Sequence, residues 1–149
     1  MTGSKAVVQL SHASFPGGCM NIVIDTSALI AVIVGEPERN RIVELTAGNT
    51  LIGPGSIPWE VANAFSAMLK RKRLTIDEAQ KGVQIFESIP LRYARSDLMR
   101  IVKLAHQAKL YAYDASFLDC AITHNAPLLT LDRRLITAAR NLNVAVLEV

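Results

Sequence analysis

NIVIDTSALIAVIVGEPE, residues 21–38, is the stretch whose reading decides the rest. The β-branched run NIVID predicts a strand over residues 21–25, and the nearly all-apolar SALIAVIV predicts a short buried helix over 27–34. Asp25 stands at the junction, followed by the hydroxyl pair Thr26 and Ser27. Aspartate is a favoured helix N-cap, worth ~1 kcal/mol over alanine. The end of a strand in an open parallel sheet is also where ligands bind. Whether Asp25 is only a cap depends on whether other acids occupy equivalent places.

Strand-like and helix-like segments alternate along the remaining chain. GEPERNRIVELTAGN places Pro37 in the first turn of a helix closing near Gly48, and TLIGPG (50–55) is a second strand. SIPWEVANAFSAMLKRKRL is a strong amphipathic helix, with Ser56 as its expected cap and Val61, Phe65, Met68 and Leu69 as its apolar stripe. Thr75 with Glu78 three residues later has the form of a capping box. PLRYA reads as a strand, followed by a helix from Ser96 or Asp97 to about Lys109. YDASFLDCAITHN is a helix entered at Asp114. APLLTLD is a strand ending at Asp132, which opens the helix RRLITAARNL, and VAVLEV is a last strand. Five short strands separated by helices imply a parallel sheet with helices on both faces, an α/β fold.

The chain has 149 residues, 50% of them hydrophobic and 19% charged, which suits one folded domain. A net charge of +3 and a pI near 9.1 are mildly basic and fit a polyanionic partner. No apolar run reaches the ~20 residues of a membrane span. Cys19 and Cys120 make no disulfide framework, so a reduced, cytoplasmic protein without membrane contact is expected. Residues 1–19 are rich in Gly, Ser and small side chains and read as a flexible N-terminal extension, with the folded domain over 20–149.

Asp25, Asp114 and Asp132 all stand at helix starts, and Glu60 lies in the first turn of its own helix. Singly, each is accounted for by capping and by the helix dipole. Together they are harder to dismiss, because Ser, Thr and Asn cap equally well. Carboxylates meeting in one crevice repel one another unless a cation neutralises them. An all-oxygen donor set favours Mg²⁺ or Mn²⁺, which take further oxygens from substrate phosphates. That combination suggests phosphodiester chemistry.

VIDTSALIAVIVGEPE, PWEVANAF, YDASFLDCA and LLTLDRRL, taken in order and spacing, resemble the four motif blocks of PIN-domain ribonucleases, and are most similar to the VapC-type toxins of toxin–antitoxin pairs. The likeness spans Met20 to Val149. It implies a three-layer α/β/α sandwich on a short parallel sheet of four to five strands. It also implies an endoribonuclease that cuts RNA with water activated by Mg²⁺ or Mn²⁺, held by Asp25, Glu60, Asp114 and Asp132. Ser27 and Thr130 match the family's hydroxyl positions and would orient carboxylates or water. Arg133 and Arg134 stand where some members have a further aspartate, which puts a second metal site in doubt. A VapB-type antitoxin and homodimerisation are implied as well.

Asn63 shares a helix face with Glu60 and is a supporting candidate. Arg133 and Arg134 are the preferred RNA phosphate contacts, whereas Lys70 to Arg73 complement the C-terminal dipole of their helix. Asp119, about 140° round the helix from Asp114, is expected at the surface or in a salt bridge. Trp59, Phe65, Ile85 and Phe86 are candidates for a dimer interface, although core burial accounts for them equally. A phosphatase or receiver fold would want a second acid beside Asp25, and Ser27 stands there instead. The alternative is a non-catalytic PIN-fold module that binds nucleic acid or protein. Retention of all four acids speaks against it.

Overall fold

A computed structural model describes residues 19–149. Apart from Cys19, the expected N-terminal extension lies outside the described residues.

The sheet has four strands, β1 (Asn21–Ile24), β2 (Thr50–Pro54), β3 (Leu91–Ala94) and β4 (Leu128–Leu129), in the order β3-β2-β1-β4 with every pairing parallel. Val23 faces Ile52 on one side and Leu128 on the other, which fixes the register of the central strand. Ile22, Val23, Ile24, Leu51, Leu128 and Leu129 are fully buried, so strands this short are held by burial on both sheet faces. The expected fifth strand is reduced to one bridge between Val146 and Leu128.

Seven helices are present among the described residues: α1 (Thr26–Val34), α2 (Arg39–Thr46), α3 (Ile57–Lys70), α4 (Ile76–Ser88), α5 (Leu98–Ala108), α6 (Ala112–His124) and α7 (Arg133–Asn141). Helix α6 packs along β1, β2 and β4 and is covered in turn by α5, while α1, α3 and α4 pack on one another. No described helix is long and apolar enough to cross a membrane.

Several local expectations hold. Asp25, Asp97 and Asp132 cap α1, α5 and α7 with their side chains, and Thr75 and Glu78 form a complete capping box on α4. Others change. Pro37 lies in the turn before α2, outside the helix. Helix α6 begins at Ala112 with Tyr111 in the cap position, so Asp114 sits in the first turn and is not its cap. Ser56 makes no capping bond: its own backbone is helical, and Pro58 has no N–H to offer at the second helical position. Asp119 is buried, which overturns its expected surface position, while the salt bridge expected as the alternative is present: its carboxylate takes two hydrogen bonds from the Arg100 guanidinium at 2.9 and 3.2 Å. Phe65 and Phe86 belong to the core, which removes them from the dimer candidates, and Ile85 is half-buried. Trp59 is left exposed.

Candidate active site

The carboxyl ends of β1 and β4 lie side by side, joined by the Asp25 N–H donating to the Leu129 carbonyl at 3.1 Å. This pairing brings Asp25 to within a few residues' reach of Thr130 and Asp132. Asp25 Oδ1 accepts from the Ala28 N–H at 3.1 Å and from the Ser27 hydroxyl at 2.7 Å. Its Oδ2 accepts from the Thr130 hydroxyl at 2.5 Å. Both hydroxyls also accept: Ser27 Oγ from the Leu131 N–H and Thr130 Oγ1 from the Asp132 N–H, each at 3.0 Å. Ser27 and Thr130 thus tie the two strand ends together and fix the Asp25 carboxylate between them.

Asp132 caps α7 through Oδ1, which accepts from the Arg134 N–H at 2.9 Å and more weakly from the Leu135 N–H at 3.4 Å. Glu60 is half-buried in the first turn of α3, and its Oε2 accepts from the Ser56 hydroxyl at 2.8 Å. The serine that fails as a cap therefore orients an acid. The Thr26 hydroxyl, buried without a close hydrogen-bond partner, adds a weak favourable influence on the Glu60 carboxylate. Neither Ser56 nor Thr26 was singled out for this role by the sequence, although Ser56 stands one helical turn before Glu60.

Electrostatics link the four acids in a closed circuit. Burial pushes the Asp25 carboxyl above its ordinary range, hydrogen bonds from Thr130, Ser27 and Ala28 pull it back, and the charge of Asp132 raises it again. Glu60 is raised first by burial and then by the charges of Asp25 and Asp114. Asp114 is raised by burial and by Asp132, and is lowered by the Arg134 guanidinium. The charge of Asp132 thus acts on Asp25 and Asp114, and the charges of Asp25 and Asp114 act on Glu60, across elements far apart in sequence.

The residues fit a hard divalent cation. Mutually repelling carboxylates in a partly desolvated crevice are stabilised by positive charge, and every donor is an oxygen. Among the described residues no three His, Cys, Asp or Glu side chains form a ready-made metal cage.

Two of the cavities adjoin residues of the site. One, of about 360 Å³, is lined by Thr26, Trp59, Glu60, Asn63, Ala64 and Tyr113, so Asn63 does share a concave surface with Glu60. The other, also of about 360 Å³, brings Lys109 from the end of α5 to Arg133 and Arg134 at the start of α7. Among the described residues none of these three cations makes an ion pair. Lys109 was not singled out by the sequence. It holds a left-handed backbone conformation (φ 55°) as the C-cap of α5, which turns the chain toward α6.

A short parallel sheet with helices on both faces and acids at its carboxyl edge places the chain among α/β proteins whose strand ends form the ligand-binding edge. The chain belongs to the PIN domain family, whose model matches residues 22–141. It is 29% identical over 116 residues to a VapC ribonuclease of Mycobacterium bovis and to ribonuclease VapC9 of Mycobacterium tuberculosis, covering 76% of this chain and 87% of each relative. Its fold matches a crystal structure from Pyrobaculum aerophilum with a TM-score of 0.64 at 19% identity, covering 86% of this chain and 87% of that one. It also matches a VapBC-1 structure from nontypeable Haemophilus influenzae with a TM-score of 0.61 at 14% identity, over 87% and 98% of the two chains. A toxin–antitoxin complex from Klebsiella pneumoniae matches with a TM-score of 0.53 at 22% identity, over 74% and 86%.

Proposed function

We propose that the protein is a metal-dependent endoribonuclease acting as the toxin of a toxin–antitoxin pair, with Asp25, Glu60, Asp114 and Asp132 as its catalytic, metal-holding acids. The observation that carries this reading is the meeting of acids at the carboxyl edge of the sheet, where hydroxyls from Ser27, Thr130 and Ser56 orient Asp25 and Glu60 and where Asp25, Glu60 and Asp114 are each raised by burial and by the charge of another acid. The two mycobacterial relatives, both named as VapC ribonucleases, support the substrate class. The Klebsiella complex and the Haemophilus VapBC-1 structure suggest the kind of partner, a VapB-type antitoxin. A homodimer is part of the same proposal.

Mg²⁺ or Mn²⁺ held by the four acids would lower the pKa of an attacking water and neutralise charge on the phosphate undergoing hydrolysis. The chain's own residues do the rest. Ser27 and Thr130 keep Asp25 in one orientation, and Ser56 does the same for Glu60. Arg134 offsets the charge of Asp114 and, with Arg133 and Lys109, offers positive charge to the RNA backbone beside the acids.

The test is cleavage of a single-stranded RNA pool with Mg²⁺, with Mn²⁺ and in EDTA. The expected result is cutting that needs a cation, is abolished by Asp25→Asn, and falls by roughly 10- to 100-fold in Thr130→Val, which frees the ligand from its orienting hydroxyl. RNA left whole by folded wild-type protein in both cations would overturn the reading.

A further inference from the structure

Trp59 is 80% exposed and Tyr113 is 62% exposed, and both line the cavity that contains Glu60 and Asn63. Each aromatic residue directly precedes an acid of the site, Trp59 before Glu60 on α3 and Tyr113 before Asp114 on α6. Large aromatic side chains normally contribute by burial, so two left open in one cavity are a surface with an unfilled role. The cavity's volume of about 360 Å³ falls within the range of small-ligand sites.

We propose that Trp59 and Tyr113 form a stacking site for an unpaired base of single-stranded RNA, next to the phosphodiester bond presented to the acids, with the Asn63 amide available to the base edge. This rests on the ribonuclease reading and deepens it. The charge distribution selects the occupant. Among the described residues, those lining the aromatic cavity include one carboxylate and no cation, which disfavours a phosphate there. A second cavity, lined by the two arginines that directly follow Asp132, has three cations and no carboxylate. A strand laid across the crevice therefore places its backbone against Lys109, Arg133 and Arg134 and turns a base toward Trp59 and Tyr113. Stacking on an aromatic face tolerates any base, and an amide adds hydrogen-bonding preference.

Trp59 is the chain's one tryptophan, so its emission reports on this site alone. Wild-type protein is titrated in EDTA, which keeps the strand intact, with a twelve-nucleotide oligoadenylate and separately with inorganic polyphosphate. The expected result is saturable quenching by the RNA and none by polyphosphate. In anisotropy measurements with labelled RNA, Trp59→Ala weakens binding by roughly 5- to 100-fold, the range found for loss of one stacked base, and Trp59→Phe restores most of it. Because Trp59 is exposed, both variants fold with unchanged thermal midpoints.

If RNA is cut in Mn²⁺ yet Trp59→Ala binds like wild type, or both polyanions change the emission alike, the stacking site is refuted while the nuclease stands. The exposed pair is then left to a protein partner. If the emission responds to RNA as described but nothing is cut with either cation, the stacking site stands and the nuclease reading falls.

Discussion

Replacing Asp25 by asparagine or by alanine separates the two roles of this residue. Asp25 is 5% exposed, and its two oxygens receive three hydrogen bonds. Alanine removes an N-cap worth ~1 kcal/mol and leaves Thr130, Ser27 and the Ala28 N–H short of an acceptor, for a total loss of about 2–4 kcal/mol. Asparagine keeps Oδ1 for Ala28 and Ser27 and places an amide where Thr130, already an acceptor, can accept once more. It also removes a charge that burial and Asp132 both disfavour. The metal-free Asp25→Asn protein should therefore be more stable than wild type by about 0.5–2 kcal/mol, as is common when a strained functional group is relieved.

The sign of the pH dependence follows. The Asp25 carboxyl is raised in the folded state, so the folded chain binds more protons than the unfolded one between the two pKa values. Its favourable contribution is complete below the unfolded value and is lost as pH rises through the folded one. The stability gap between Asp25→Asn and wild type should therefore open from acid toward neutral pH and then level off.

Thermal midpoints in EDTA and in millimolar Mn²⁺ measure all of this. At a concentration 100 times its Kd, the cation adds about 2.7 kcal/mol, a rise of roughly 5–10 °C for a chain of this size. Wild type should show that rise, Asp25→Asn should show little, and Asp25→Ala should start roughly 5–15 °C lower than wild type in EDTA. An equal Mn²⁺ shift in wild type and Asp25→Asn would remove Asp25 from the ligands. A metal-free Asp25→Asn protein as unstable as the alanine variant would refute the idea that the charge is a strain on the fold.

Two further outcomes test the packing. A Cβ on Gly82 would lie 2.5 Å from the tip of the buried Phe65 ring, so Gly82→Ala should lower stability by about 1–3 kcal/mol through overpacking between α3 and α4, read as a reduced denaturation midpoint. Burial, and secondarily the charge of Asp119, push the Cys120 thiol up to about 11, whereas Cys19 is exposed. Ellman's reagent at pH 8 should titrate one thiol quickly in the native protein and the second only on unfolding, and the stability contributed by the neutral Cys120 thiol should be lost as pH rises past about 9 toward its folded value.

The legible parts of this fold are those decided by neighbours in sequence. The caps Asp25, Asp97 and Asp132 and the Thr75–Glu78 box follow from residue type and spacing alone. So does the approach of Asp25 and Asp132, because the strands they follow are neighbours and share one edge. What could not be read depends on tertiary context. Helix α6 is buried on most sides because α5 covers the face turned from the sheet, so being off the face of Asp114 did not put Asp119 in water. The last strand shrinks to one bridge because β4, its neighbour, is two residues long. Beyond Leu129, the side chain of Thr130 and the backbone of Leu131 bond toward Asp25 and Ser27. Lys109 carried no motif, and Tyr113, the first residue of the YDASFLDCA block, was given no role there. They matter through what folds beside them.

The four acids divide by what else they do. Asp25 and Asp132 are helix caps as well as members of the charged circuit, so the fold itself recruits them to the sheet edge. Asp132 engages the helix through one oxygen among the described contacts, whereas both oxygens of Asp25 are committed, to hydroxyls and an amide that hold two strand ends together. Glu60 and Asp114 cap nothing, and burial makes their charges costly without a local structural return beyond the Ser56 bond to Glu60. Helix N-termini attract negative charge, which offsets part of that cost, whereas a neutral Ser, Thr or Asn would bring neither the attraction nor the repulsion. On the proposed function, the pair without a capping role is the stronger sign of a ligand in the crevice, and the capping pair accounts for how so small a sheet would hold that ligand's donors in place.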